Sequence, residues 1–225
     1  IDITAMPPGR TIKGTETITY FNNSPDTLRA PVIKLFLNIH KPGAPRNGGA
    51  ADDYLTSGVH IDEATADGKK IHMNDNGFTW QQVRLPKPLF PKQSIQLTFT
   101  WHYDVSLQSG REGMIDSTTY FLAYFYPRVA VFDDISGWDR IDFMDDHEFY
   151  SDFNDYDVTI HVPKDYIVWG TGTLQQPEKL LQPAILQRFN QSLISDATVN
   201  IATKEDVFKK GVTMQNAVNS WQFIA

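Results

Sequence analysis

The segment Asp145–Asp152, DDHEFYSD, contains the pair His147–Glu148. His-Glu opens the H-E-x-x-H motif of zinc proteases. There, two histidines four residues apart project from one helix face, with the glutamate beside them as general base. Position 151, where the second ligand belongs, holds Ser151. Further on, Tyr156, Val158, Ile160 and Val162 alternate with Asp157, Thr159 and His161, which is strand spacing rather than helix spacing. The pair therefore reads as loop or the beginning of a strand, not as a metal site.

The same region is strongly acidic. Between Asp133 and Asp157 lie ten acidic residues and one basic residue, Arg140. Carboxylates in such number could hold Ca²⁺, but the EF-hand spacing is absent, and a solvated face or one paired with another domain is the better reading. A glycosidase-like carboxylate pair is a weak reading in so acidic a stretch. His40, His60, His72, His102 and His161 are scattered, with no two at ligand spacing, and read as surface or hydrogen-bonded histidines. No G-x-S-x-G and no phosphate-binding glycine loop occurs. With no cysteine, disulfides, thiolate zinc sites and cysteine nucleophiles are excluded. The net charge is −7 and no Lys/Arg cluster is present, which argues against nucleic-acid binding. The chain offers no complete catalytic constellation.

The elements that would position these residues are mostly strands. The 225 residues include 14 glycines and 13 prolines and are 12% aromatic, a composition of many turns and β-favouring side chains. Ile12, Gly14, Glu16, Ile18 and Tyr20 alternate as a strand. FNNSPDTLRA then supplies turn chemistry and APVIKLFLNIH a second apolar strand, so 11–40 reads as a hairpin or meander. Residues 41–57 form a long Gly/Pro/Asn-rich loop. Short strands follow near 59–61, 70–73 and 79–85, and a longer one runs through Ile95, Leu97, Phe99 and Trp101. YDVTIHVPKDYIVWGTGTL reads as two strands, and ATVNIAT and NSWQFIA as two more. Leu186, Phe189 and Leu193 carry the one helical spacing. The fold class is mainly β, an antiparallel β-sandwich or saddle-shaped sheet domain with one short late helix.

The run Tyr120, Phe121, Tyr124, Phe125, Tyr126 has two readings: core packing, or the wall of a ligand cleft, since alternate strand residues face opposite sides. There is no transmembrane run and no signal peptide in these residues. The opening IDITAMPPGRTIKGTETITYF is already strand-like, and the chain is read as a mature or trimmed piece whose natural N-terminus is missing.

Four segments together resemble the N-terminal domain of M1-family (gluzincin) zinc aminopeptidases, in particular those of the Bacteroidetes type. They are GTETITYFNNSPDTLRAPVIKLFLNIHKP, FYPRVAVFDDISGWD, EFYSDFNDYDVTIHVPKDYIVWGTGTL and the closing SWQFIA, in order along nearly the whole chain. The resemblance implies a single N-terminal β domain over 1–225, with a helical insertion about 177–195 and a last strand truncated after 225. In the family such a domain packs beside a thermolysin-like catalytic domain that carries H-E-x-x-H, a later glutamate and the zinc. No H-E-x-x-H occurs here, so this chain by itself is expected to be no enzyme and to hold no cofactor, the zinc being expected in the catalytic domain.

The implied role is to cap the catalytic cleft and line part of the pocket for a peptide N-terminus. The family commonly places Gln or Glu ahead of its aromatic-Pro segment to line that pocket. No Gln lies between Gln108 and Gln175, and the nearest candidates are Asp116, Thr118 and Tyr124. Tyr120 to Tyr126 is the expected cleft-facing region, and Asp133, Asp134 and Asp139 are expected at an interface or rim, where negative charge would attract an α-amino group. Expected partners are the catalytic domain and peptide, with no nucleic acid, in a periplasmic or otherwise extracytoplasmic setting. The alternatives are a stand-alone β-sandwich module that binds carbohydrate or protein, or an inactive scaffold relative.

Overall fold

The structure is a computed structural model that describes residues 1–74, 77–144, 146 and 149–225; His147 and Glu148 thus lie outside the described residues. Along the chain the strands are β1 (Asp2–Ala5), β2 (Thr11–Phe21), β3 (Val32–Lys34), β4 (His60–Ala66), β5 (Lys69–Lys70), β6 (Met73–Asn74), β7 (Trp80–Val83), β8 (Ser94–Asp104), β9 (Gly113–Asp116), β10 (Thr119–Phe121), β11 (Arg128–Val129), β12 (Phe132–Asp133), β13 (Gly137–Trp138), β14 (Asp157–Pro163), β15 (Thr173–Leu174) and β16 (Val218–Ile224). Two helices, α1 (Pro183–Ser192) and α2 (Lys204–Phe208), fall between β15 and β16, and a 3₁₀ turn spans Phe36–His40. The chain divides into two compact units, one made of 8–154 and one of 1–7 with 155–225.

In the larger unit, β2 pairs with β8 in antiparallel register over its full length, from Thr11↔Asp104 to Phe21↔Ser94. Alternation decides the faces: Thr11, Lys13, Thr15 and Thr17 are exposed, whereas Ile12, Gly14 and Glu16 are buried. On β8 the buried partners are Leu97, Phe99, Trp101 and Tyr103. Gly14 stands opposite Trp101, and a Cβ there would overlap the indole, so the glycine makes room for the largest side chain of this core. β4 adds to the other edge of β8, with a bulge between Ile61 and Glu63, and β5 follows. A second sheet has the order β11-β3-β7-β6. The ribbons β9–β10 and β12–β13 stand apart from both.

The expected 11–40 hairpin is not formed. β2 takes β8 as its partner, and of the apolar run only Val32–Lys34 is strand, paired with β7 and β11. Phe36–His40 turns into the 3₁₀ helix, all five residues buried. An apolar run without alternation marks burial but does not choose between strand and helix turn.

In the smaller unit, β14 pairs antiparallel with β16 and parallel with β1, and β15 lies on the far side of β16. Trp221, Phe223 and Val162 are buried. Helix α1 begins with Pro183 in its first turn, where the missing N–H costs nothing. It buries Ile185, with Leu186 and Phe189 half-buried, and Leu193 lies past its end, exposed. Helix α2 opens with a capping box between Thr203 and Asp206. These hydrogen bonds, first from the Thr203 side chain and then its backbone, together with Arg188, lower the Asp206 carboxyl to about 2. ATVNIAT, read above as a strand, is irregular.

Candidate functional site

The larger unit holds a cleft of about 370 Å³. Its walls are built from Phe36 on the 3₁₀ turn, Tyr124 after β10, and Phe143 and Phe149 in the acidic segment. The four rings form one cluster. Tyr124 and Phe149 have centroids 3.9 Å apart, Phe36 meets Phe149 edge-on at 4.5 Å, and Phe143 stacks on Phe149 at 4.5 Å. Tyr124 has φ +57°, an uncommon conformation for a bulky residue. Its hydroxyl accepts a hydrogen bond from Arg111 at 3.2 Å. The Arg128 guanidinium lies over Phe36 at 5.3 Å and Tyr126 at 4.9 Å.

Charged and ionisable side chains also line the cleft, among them His40, Arg111, Glu112 and Asp146. His40 Nε2 lies 2.6 Å from Glu112 Oε1, with side chains only 5% and 12% exposed. His40 Nδ1 lies 2.9 Å from the Tyr54 carbonyl oxygen, and the imidazole lies against the Tyr54 ring, centroids 4.2 Å apart and planes tilted by 50°. Ser106 Oγ donates to the same carbonyl. Glu112 is held by a tight turn: Met114 N donates to Ser106 O, Gly110 N to Glu112 O, and Gly113 has φ +115° where a Cβ would strike the Gln108 carbonyl. The neighbouring Tyr103 phenol is fully buried; burial pushes its pKa well up, and Glu112 adds to the effect.

Of the residues expected at a cleft, Tyr124 lines this one. Tyr120 donates its hydroxyl proton to the Gly9 carbonyl, and the Tyr126 hydroxyl accepts from Arg128 at 2.6 Å. Asp116 and Thr118 form the β9–β10 turn: Thr118 N and Oγ1 both donate to Asp116 Oδ1 at 2.7 Å, which lowers that carboxyl's pKa. Asp133 likewise caps a turn, accepting from Ile135 N and Ser136 N, and its pKa is lowered by those backbone donors. Asp139 forms an ion pair with Lys34, and Asp134 is exposed. His40, Glu112, Phe36, Phe143 and Phe149 share no sequence motif and are gathered only by the fold. Only the apolar run ending at His40 hinted that this histidine is buried.

The smaller unit carries a different arrangement. Asp2, His161 and Ser220 lie on the adjacent strands β1, β14 and β16, with His161 Nε2 2.9 Å from Asp2 Oδ2 and Nδ1 2.8 Å from Ser220 Oγ. The order resembles a Ser-His-Asp relay. The Asp2 side chain is 62% exposed, however, so water competes for the bond that would orient the imidazole. Among the described residues no group of three or more His, Cys, Asp or Glu could hold a metal ion, so these residues do not fit a zinc site.

No family model matches the sequence, and no curated protein matches it. Solved structures do match by shape. An M1 zinc metallopeptidase from Deinococcus radiodurans superposes with a TM-score of 0.50 at 15% identity, covering 99% of this chain and 37% of that one. A variant M1 zinc metallopeptidase from the same organism, bound to a Tyr-ser-ala substrate, gives the same figures, as does a two-domain variant bound to L-tryptophan. The chain thus spans 37% of the length of these structures. Its mainly β, antiparallel-dominated fold is one found within M1 zinc metallopeptidases.

Proposed function

We propose that the chain is the non-catalytic N-terminal domain of an M1-type zinc metalloaminopeptidase, and that it caps the catalytic cleft and lines part of the substrate pocket. The observation that carries this reading is the fold likeness, which takes in 99% of this chain and only 37% of the peptidase structures. The aromatic cleft supports it, because Tyr124 lies in the segment where the resemblance expects a pocket residue. The zinc, the general base and the attack of water on the scissile carbonyl would belong to the catalytic part. This chain would contribute apolar wall and rim, in an extracytoplasmic protein.

The test is the sequence and activity of the native parent protein. Several hundred further residues with H-E-x-x-H and a later glutamate, and release of N-terminal amino acids from peptides by the purified protein, are the expected result. A parent with the extension but without the histidines would be a scaffold relative. A native chain that ends near Ala225 would overturn the reading and leave a stand-alone binding module.

A further inference from the structure

In the smaller unit, successive residues of β16 aim their backbone groups at opposite edges. Ala225 exchanges both amide hydrogen bonds with Tyr156, and Lys164 N donates to Ala217 O, so the odd-numbered residues face β14. Val218, Ser220 and Gln222 therefore face away from it. On that far side Gln175 N donates to Gln222 O at 2.8 Å, and Met214 N donates to Leu180 O at 2.7 Å. Between these two points the chain arches away through Gln176, at φ +50°, and the 3₁₀ turn Pro177–Lys179. Two neighbouring segments thus part and rejoin around an opening of about 310 Å³. On its strand side, the N–H groups of Val218, Ser220 and Gln222 and the C=O groups of Val218 and Ser220 have no partner among the described residues.

An unpaired strand edge is a template for a further extended chain. Ser220, the middle of the three outward residues, can exchange both amide hydrogen bonds with one residue of a peptide, as in an antiparallel pair. Its hydroxyl is engaged by His161, so recognition there falls to the backbone. A second copy of β16 does not fit, because Gln175 and Leu180 close the edge at either end. Of the side chains lining the opening, Lys179 alone is charged, and it makes no ion pair among the described residues. Asp157 is held by Gln222 Nε2 at 2.8 Å, and Glu178, beside Lys179 in the chain, does not line the opening. We propose that the opening binds a short extended peptide bearing a carboxylate, its main chain paired with Ser220 and its carboxylate at Lys179. An acidic side chain and a peptide C-terminus share this chemistry. The site stands independently of the aromatic cleft and of the parent protein's activity.

The test is titration of the 225-residue chain with N-acetylated tripeptides, followed by backbone amide NMR shifts at Val218, Ser220 and Gln222. The probes are the amides of Ala-Ala-Glu, Ala-Ala-Ala and Ala-Ala-Lys, Ala-Ala-Ala with a free C-terminus, and Ala-Ala-Glu amide methylated at every backbone nitrogen. The two carboxylate peptides should bind about two- to fivefold tighter than neutral Ala-Ala-Ala amide, the range for an exposed ion pair. The lysine peptide should bind weakest. Methylation removes the donors that Ser220 O needs and should weaken binding at least about fivefold, the worth of one hydrogen bond. Lys179→Gln, a change of an exposed side chain, should level the charged and neutral peptides. A tighter glutamate peptide would identify an acidic side chain as the source, and a tighter free C-terminus a chain end; both support the proposal. Equal binding of the methylated peptide, or of the neutral and carboxylate peptides, would overturn it in the wild-type protein alone. So would the absence of shifts at 218–222, whether the peptides bind nowhere or in the aromatic cleft.

Discussion

The Lys34 ammonium lies 2.7 Å from the Asp139 carboxylate, with side chains 3% and 10% exposed. Lys34 comes from the central strand β3 and also donates to the Ile141 carbonyl, so one buried charge ties the acidic segment to the sheet at two points. This gives Asp139, one of the residues expected at a rim, a bond to its own fold. Removing one partner leaves the other charged and buried. Lys34→Ala or Asp139→Ala should each cost about 3–5 kcal/mol in urea unfolding, whereas Lys34→Met with Asp139→Leu should cost much less. Single variants within about 1 kcal/mol of wild type would show that the pair is open to water.

Glu16 sits on β2 opposite Phe99, 2% exposed, with Oε1 lacking a partner. Burial pushes its pKa up to about 8, against the pull of Arg128 in the other direction. A raised carboxyl pKa means that the folded state keeps its proton after the unfolded chain has released it. Stability from this group is therefore complete below about pH 4.5, falls as pH rises, and levels off above about pH 8. Glu16→Gln should flatten this fall and be more stable than wild type at pH 9, by an amount on the order of a few kcal/mol. Parallel wild-type and variant curves from pH 5 to 9 in chemical denaturation would refute the assignment.

Gly113, next to Glu112, combines φ +115° with a Cβ position blocked by the Gln108 carbonyl. Gly113→Ala should destabilise by more than about 1 kcal/mol and loosen the turn that presents Glu112 to His40. Amide hydrogen exchange should accelerate at Gly110 and Met114, whose N–H groups close this turn. Unchanged exchange there would mean that the turn holds without the glycine.

Asp2, His161 and Ser220 have the connectivity of a relay without its enclosure. A fluorophosphonate probe should leave Ser220 unlabelled at pH 8, because an imidazole oriented by a solvated carboxylate gives the hydroxyl little activation. Labelling that disappears in Ser220→Ala would reverse this conclusion and give the smaller unit a nucleophile.

Much of the architecture is a matter of local period and can be read directly. The alternation of Ile12 to Tyr20, of Ile95 to Trp101 and of Tyr156 to Val162 appears as β2, β8 and β14, and the helical spacing about Leu186 and Phe189 as α1. A strand's period declares which residues share a face, because successive side chains point to opposite sides whatever the strand pairs with. The period does not name the partner. That β2 joins β8 rather than the run at 32–40, that this run bends into a 3₁₀ turn, and that ATVNIAT forms no strand are set by long-range pairing and packing. The candidate site depends on this second kind of information almost entirely. Tyr124 stood out as an aromatic, but His40 and Glu112 lie far apart in the chain and share no motif. They meet because the buried 3₁₀ turn and the Gly113 turn converge on the Tyr54 carbonyl. Composition and spacing determined a mainly β chain and the faces of its longer strands. Tertiary structure alone decided that His40 and Glu112 would meet beside an aromatic cleft, since that proximity is created only when distant turns are packed together.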